Sequence, residues 1–122
     1  MDAMNDEQRR LTRLGGIADR FLALCEEACE RCPELKTEWD FLMLRTRRLA
    51  NHEGITLGVQ AKVGSPVELR AFLSELKLAG WTLYHSARDW RMAEEIASTV
   101  EKTAMRVSSC DLVNRCRPAP TP

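Results

Sequence analysis

The sequence predicts an all-α fold, a single-domain antiparallel bundle of about four helices. Three observations carry that expectation. Apolar residues recur at steps of 3 and 4 through most of the chain. Helix starts and stops, among them Pro33, Gly54, Ser65-Pro66 and Gly80, fall between the periodic stretches. At 122 residues the chain has the length of one domain and can bury a core.

The first stripe is Leu11, Leu14, Ala18, Phe21, Cys25, Ala28 and Cys32, at steps of 3, 4, 3, 4, 3, 4. Gly15-Gly16 interrupts it, and two glycines cost roughly 1–2 kcal/mol in a helix interior. A kink or break is therefore expected there, with a longer piece starting near Ile17. Pro33 ends the stripe, because the residue before a proline is pushed out of the helical region.

Thr37 with Asp40 reads as a capping box for a second helix, with apolar Trp39, Leu42, Met43 and Leu49 and stop signals at Asn51 and Gly54. The connection Cys32–Lys36 is short, so the first two helices should lie antiparallel.

Residues 55–63 change period. Ile55, Leu57, Val59, Ala61 and Val63 alternate with Thr56, Gly58, Gln60 and Lys62, a strand signal. A helical reading survives through Ile55, Val59 and Val63, so this segment is expected to be either extended or a short helix. Ser65 as N-cap, Pro66 at the first helical position and Glu68 then open a third helix. It buries Leu69, Phe72, Leu73 and Leu76 and is expected to stop at Gly80.

A last helix is expected from Thr82 through Leu83, Ala87, Trp90, Ala93, Ala97, Val100, Ala104 and Val107, ending near Ser108-Ser109. Its alanines form a seam that a neighbouring helix could approach closely. The helical domain should cover residues 1–116, followed by a disordered Pro-rich tail at 117–122.

Eighteen basic and eighteen acidic side chains give a net charge of zero, which argues against a bulk polyanion binder. Arginine outnumbers lysine 14 to 4, and its planar fork suits carboxylate and phosphate. On an antiparallel hairpin, Arg9, Arg10 and Arg13 would meet Arg45, Arg47 and Arg48 at one end. Glu26, Glu27, Glu30, Glu34, Glu38 and Asp40 would gather at the other. The basic pole is a candidate partner surface. Trp81, placed just after a helix-ending glycine, is a candidate interface anchor.

Cys25, Cys29 and Cys32 share one helical face, and three thiolates there could hold Cu(I) or Zn. Over Cys25–Cys32 the spacing is similar to that of short cysteine-rich copper-binding bundles. Cys25 and Cys32 also belong to the apolar stripe and serve equally as small hydrophobes. Five cysteines, and a polar N-terminus lacking a basic region followed by an apolar run, point to a reduced cytoplasmic setting.

Catalytic and cofactor motifs are missing. There is no HExxH, no Glu-x-x-His pair, no phosphate loop and no nucleophile elbow. A non-enzyme without a cofactor is expected. No apolar run reaches the length of a membrane span.

Residues 55–107 read as strand, helix, turn, helix, an order that resembles the ribbon-helix-helix family of DNA-binding dimers. The resemblance covers less than half of the chain. It implies paired strands in the major groove, with Thr56, Gln60 and Lys62 facing DNA. The main expectation is a small regulatory or interaction protein of the adaptor, chaperone or phage- or plasmid-encoded inhibitor type. It would dock an Arg-bearing helical face on a larger protein or complex. A second copy is a further partner, through the alanine seam or the alternating segment.

Overall fold

Asn5 opens the first helix. Its side chain accepts the Gln8 N–H at 2.8 Å, and Asp6 and Glu7 occupy the positively polarised first turn. The computed structural model describes residues 5–58 and 68–107, and places α1 at Asp6–Arg31, α2 at Lys36–Glu53, α3 at Leu69–Ser86 and α4 at Trp90–Val107. Ser65, Pro66, Gln60, Lys62, Ser108-Ser109 and the 117–122 tail lie outside the described residues.

α1 is unbroken through Gly15-Gly16, against the sequence expectation. A Cβ on Gly15 would stand 3.0 Å from Cγ2 of Ile55. That glycine is a passing place for the chain that leaves α2, and packing there offsets the propensity cost. A single 3-10 turn at Pro33–Leu35 then leads straight into α2, with no side-chain cap, so the Thr37–Asp40 capping box does not form. Asp40 instead pairs with Lys36 one turn back, at 2.6 Å. The turn is held by Trp39, whose indole N–H donates to the Cys32 carbonyl at 3.1 Å inside the core.

Gly54 ends α2 as expected. At φ 79° it takes the left-handed conformation, its N–H meets the Asn51 carbonyl at 3.2 Å, and the Ile55 N–H meets that of Ala50 at 2.8 Å. Residues 55–58 continue without helix or strand. They run along α1, where Ile55 and Leu57 pack against the core and the Gly58 N–H donates to Asp19 Oδ2 at 3.0 Å.

α3 begins at Leu69, with Glu68 in the capping position and no side-chain cap. Gly80 does not stop it. A Cβ there would lie 3.5 Å from Val100 and 3.6 Å from Phe21, so this glycine sits where α3 closes on α4 and α1. The helix runs on to Ser86, and the break falls at residues 87–89 rather than near Thr82.

The principal packing is α1 on α2 and α3, and α4 on α2 and α3. Each contacting pair is antiparallel. Arg45 meets Glu95 while Arg106 meets Glu38, and Phe21 faces Gly80 while Arg31 covers Phe72. α1 and α4 thus run one way and lie diagonally, and α2 and α3 run the other. α2 ends beside the start of α1, whereas α3 starts beside the end of α1, so the α2–α3 connection joins opposite ends of the bundle. Leu14, Phe21, Trp39, Leu42, Phe72, Leu76, Ile96 and Val100 are fully buried at the centre. The alanines of α4 (Ala93, Ala97, Ala104) are consumed in this core, so they offer no seam to a second copy. No helix among the described residues is long and apolar enough to cross a membrane.

Candidate functional site

The six arginines of the expected basic pole divide three ways. Arg10 is spoken for, bound to Glu53 at 3.1 Å and Glu7 at 3.3 Å. Arg45 reaches Glu95 on α4 at 3.3 Å and lies 4.9 Å over the Phe41 ring. Arg9, Arg13, Arg47 and Arg48 form no ion pair among the described residues. These four lie toward one end of the bundle but on two different helices. Arg9 and Arg13 line a groove between α1 and the end of α3, with His85 and Ser86 opposite. Arg47 and Arg48 lie on α2, five to six residues before the Glu53 that marks the level of Arg10, a rise of about 8 Å. The acidic end is also partly neutralised, with Glu27 on Arg31, Glu38 on Arg106 and Asp40 on Lys36.

Around Arg45, Arg47 and Arg48 the outward face of α2 carries two large apolar side chains. Leu44 is 54% exposed and Phe41 is 37% exposed. They stand three residues apart, so they are neighbours on one side of the helix, and Arg48 follows Leu44 by one turn. The core side of α2 is already complete, with Trp39, Leu42, Met43 and Leu49 buried. Phe41 and Leu44 serve no contact in the core. Their signal was present in the sequence as apolar residues off the main stripe.

Trp81 is only half-buried, as its position suggested, although it lies within α3 rather than after it. Its indole N–H donates to Glu101 Oε2 at 2.8 Å, and its ring meets Tyr84 edge-on at 5.4 Å. The polar end of the side chain is therefore used within the protein. Trp90 keeps the spacing of the buried stripe yet is 51% exposed, at the first position of α4.

The cysteine face does not present three thiolates. Cys25 is fully buried, and burial pushes its thiol well above the ordinary range. Burial, then the Asp40 carboxylate, raises the half-buried Cys29. Cys32 is buried and disulfide-bonded, not reduced. No group of His, Cys, Asp and Glu among the described residues is arranged to hold a metal ion. Thr56 is exposed, but the residues around it pack along α1 and form no strand.

The two histidines stand apart. His52 Nε2 lies 3.1 Å from Asp89 Oδ2, and the His85 ring meets Tyr84 at 5.0 Å. His52 borders a depression of about 320 Å³ lined by Glu7, Arg10, Glu53, Arg88 and Asp89. Those groups bind one another. Glu53 takes Arg10 on one oxygen and the Arg88 and Asp89 N–H groups on the other, and Arg88 pairs with Glu7 at 2.8 Å. The arrangement is a joint between helix ends, in which Arg10 Nε is buried without a hydrogen-bond partner among the described residues. Comparison with protein-family models, with curated proteins and with solved structures returned no match.

Proposed function

We propose that this chain is a small non-enzymatic interaction protein whose α2 face docks on an acidic, partly apolar segment of a larger protein. The observation that carries the reading is Leu44, 54% exposed and set among Arg45, Arg47 and Arg48. Arginine and aromatic side chains are enriched at protein interfaces, and this face brings Arg45, Arg47 and Arg48 together with Phe41 beside the exposed Leu44. Arg47 and Arg48, which form no ion pair among the described residues, can take carboxylates, and Arg45 extends the apolar surface by stacking on Phe41. Two separated histidines and a sealed Cys25 support a role without catalysis. Adaptors, chaperones and inhibitors act in this way. In a cytoplasmic setting the disulfide at Cys32, a residue 1% exposed, is shielded from soluble reductants.

A photo-crosslinking side chain placed at Leu44, with exposed Leu78 on α3 as control, tests the reading in cells. The expected result is a crosslink to another protein at position 44 and none at 78. It should weaken when Arg47→Glu and Arg48→Glu are introduced. Crosslinks to nucleic acid, to a second copy alone, or to nothing would refute it.

A further inference from the structure

We propose that the groove between α1 and the end of α3 binds the phosphate group of a small phosphate monoester. Arg9 and Arg13, one turn apart on α1, supply the charge, and His85 and Ser86 of α3 supply donors from the opposite wall. The groove holds about 320 Å³, the lower end of the range for small-molecule sites.

The first turn of α1 carries Asp6 and Glu7, the acidic residues that its positive end favours, and Arg9 and Arg13 follow beyond it. Neither Arg9 nor Arg13 forms an ion pair among the described residues. Arg10, between them, does so through Glu7 and Glu53, so its charge is cancelled and it forms only part of the wall.

The charge balance selects the ligand. The carbonyl end of α3 contributes roughly half a negative charge, and the N–H end of α1 offsets part of Asp6, which also lines the groove. About one net positive charge remains, carried by guanidinium forks that match phosphate oxygens. A phosphate monoester carries about −1.5 to −2 at neutral pH, which they complement. A nucleic-acid backbone would need a row of such sites along one surface. Arg47 and Arg48 lie on a different helix, so they do not extend this pair into a row.

The test is an NMR titration of the full chain with inorganic phosphate and with ribose 5-phosphate, against chloride at matched ionic strength. Saturable shifts are expected at Arg9, Arg13 and His85. Arg13→Gln should weaken binding by roughly five- to tenfold, and Asp6→Asn should strengthen it by roughly two- to fivefold. Arg47→Gln should leave it unchanged, and circular dichroism of each exposed-site variant should match the parent. Shifts that never saturate, shifts centred on Arg47 and Arg48, or an Arg13→Gln chain that binds as well as the parent would overturn the proposal. So would salt-sensitive binding of a duplex oligonucleotide without any response to phosphate.

Discussion

Glu53 and Asp89 lie 36 residues apart in the chain, and the Oε2 atom of Glu53 accepts the Asp89 backbone N–H at 2.8 Å. The same oxygen accepts the Arg88 N–H at 2.8 Å, and Oε1 takes the Arg10 guanidinium at 3.1 Å. The Glu53 side chain is 2% exposed. Asp89 in turn accepts the Met92 N–H at 3.1 Å, in the capping position of α4. One carboxylate therefore ties the end of α2 to the start of α1 and to the α3–α4 turn.

Removing that carboxylate leaves two N–H groups and a guanidinium short of a partner. Glu53→Ala should cost about 3 kcal/mol, seen as a fall of roughly 10 °C in Tm. Glu53→Gln keeps an acceptor for the backbone and should cost less. Combining Glu53→Ala with Arg10→Ala should cost less than the two losses added, because both act on one pair. A melt of Glu53→Ala indistinguishable from the parent would remove the joint from the account.

The adjacent glycines of α1 should behave differently. A Cβ on Gly16 meets nothing within 4 Å, so Gly16→Ala should raise stability by about 0.5–1 kcal/mol through helix propensity. Gly15→Ala must displace Ile55 from a 3.0 Å contact and should gain less or lose stability. Urea unfolding of the two variants decides it, and equal midpoints would contradict the passing-place role.

Thiol labelling should rank the cysteines of α1. Cys29, half-buried, should react with iodoacetamide in the native protein, more slowly than a free thiol because its thiolate is disfavoured. Cys25, fully buried with its thiol pushed well up, should label only on unfolding. Cys32 should label only after reduction. Mass mapping of the labelled peptides reads all three, and rapid native labelling of Cys25 would contradict its burial.

Stability should decline at both ends of the pH range. The Arg10 hydrogen bond, helped by the charges of Arg10 and Arg88, holds the Glu7 carboxyl below the usual carboxylate range. A lowered pKa means that the unfolded chain takes up its proton first. The Glu7 contribution is therefore complete above about pH 5 and is lost as pH falls through the lowered value. Glu7→Gln should flatten that acid limb. Cys25 acts with the opposite sign. Its raised pKa means that the unfolded chain ionises first, so stability falls as pH rises past about 8.5, and Cys25→Ala should flatten the alkaline limb. Unfolding curves from pH 3 to 10 measure both slopes.

The buried stripes were legible because a helix displays its period locally. Leu11, Leu14, Ala18, Phe21, Cys25, Ala28 and Cys32 share one face by spacing, and all but the half-buried Leu11 are buried. Pro33 and Gly54 act as read, since each imposes its backbone geometry on its own. Gly15 and Gly80 were misread because a glycine needed for close approach looks the same in sequence as one that breaks a helix. The α3–α4 boundary was displaced because Leu83, Ala87 and Trp90 keep the helical spacing across residues 87–89, where the chain leaves the helix. Periodicity carries no mark of such a break.

Sequence alone determined that this is an all-α bundle, and which faces of its helices are buried, because both follow from spacing within a few residues. Only the tertiary structure decided which arginines still carry usable charge. Arg10 is cancelled by Glu53 and Arg45 is engaged by Glu95, pairs that form between neighbouring antiparallel helices. Among the described residues Arg9, Arg13, Arg47 and Arg48 form no ion pair, the first two on α1 beside the end of α3 and the last two on α2. The physical reason is range. Helical period is set by neighbours along the chain, whereas charge neutralisation depends on distance in space.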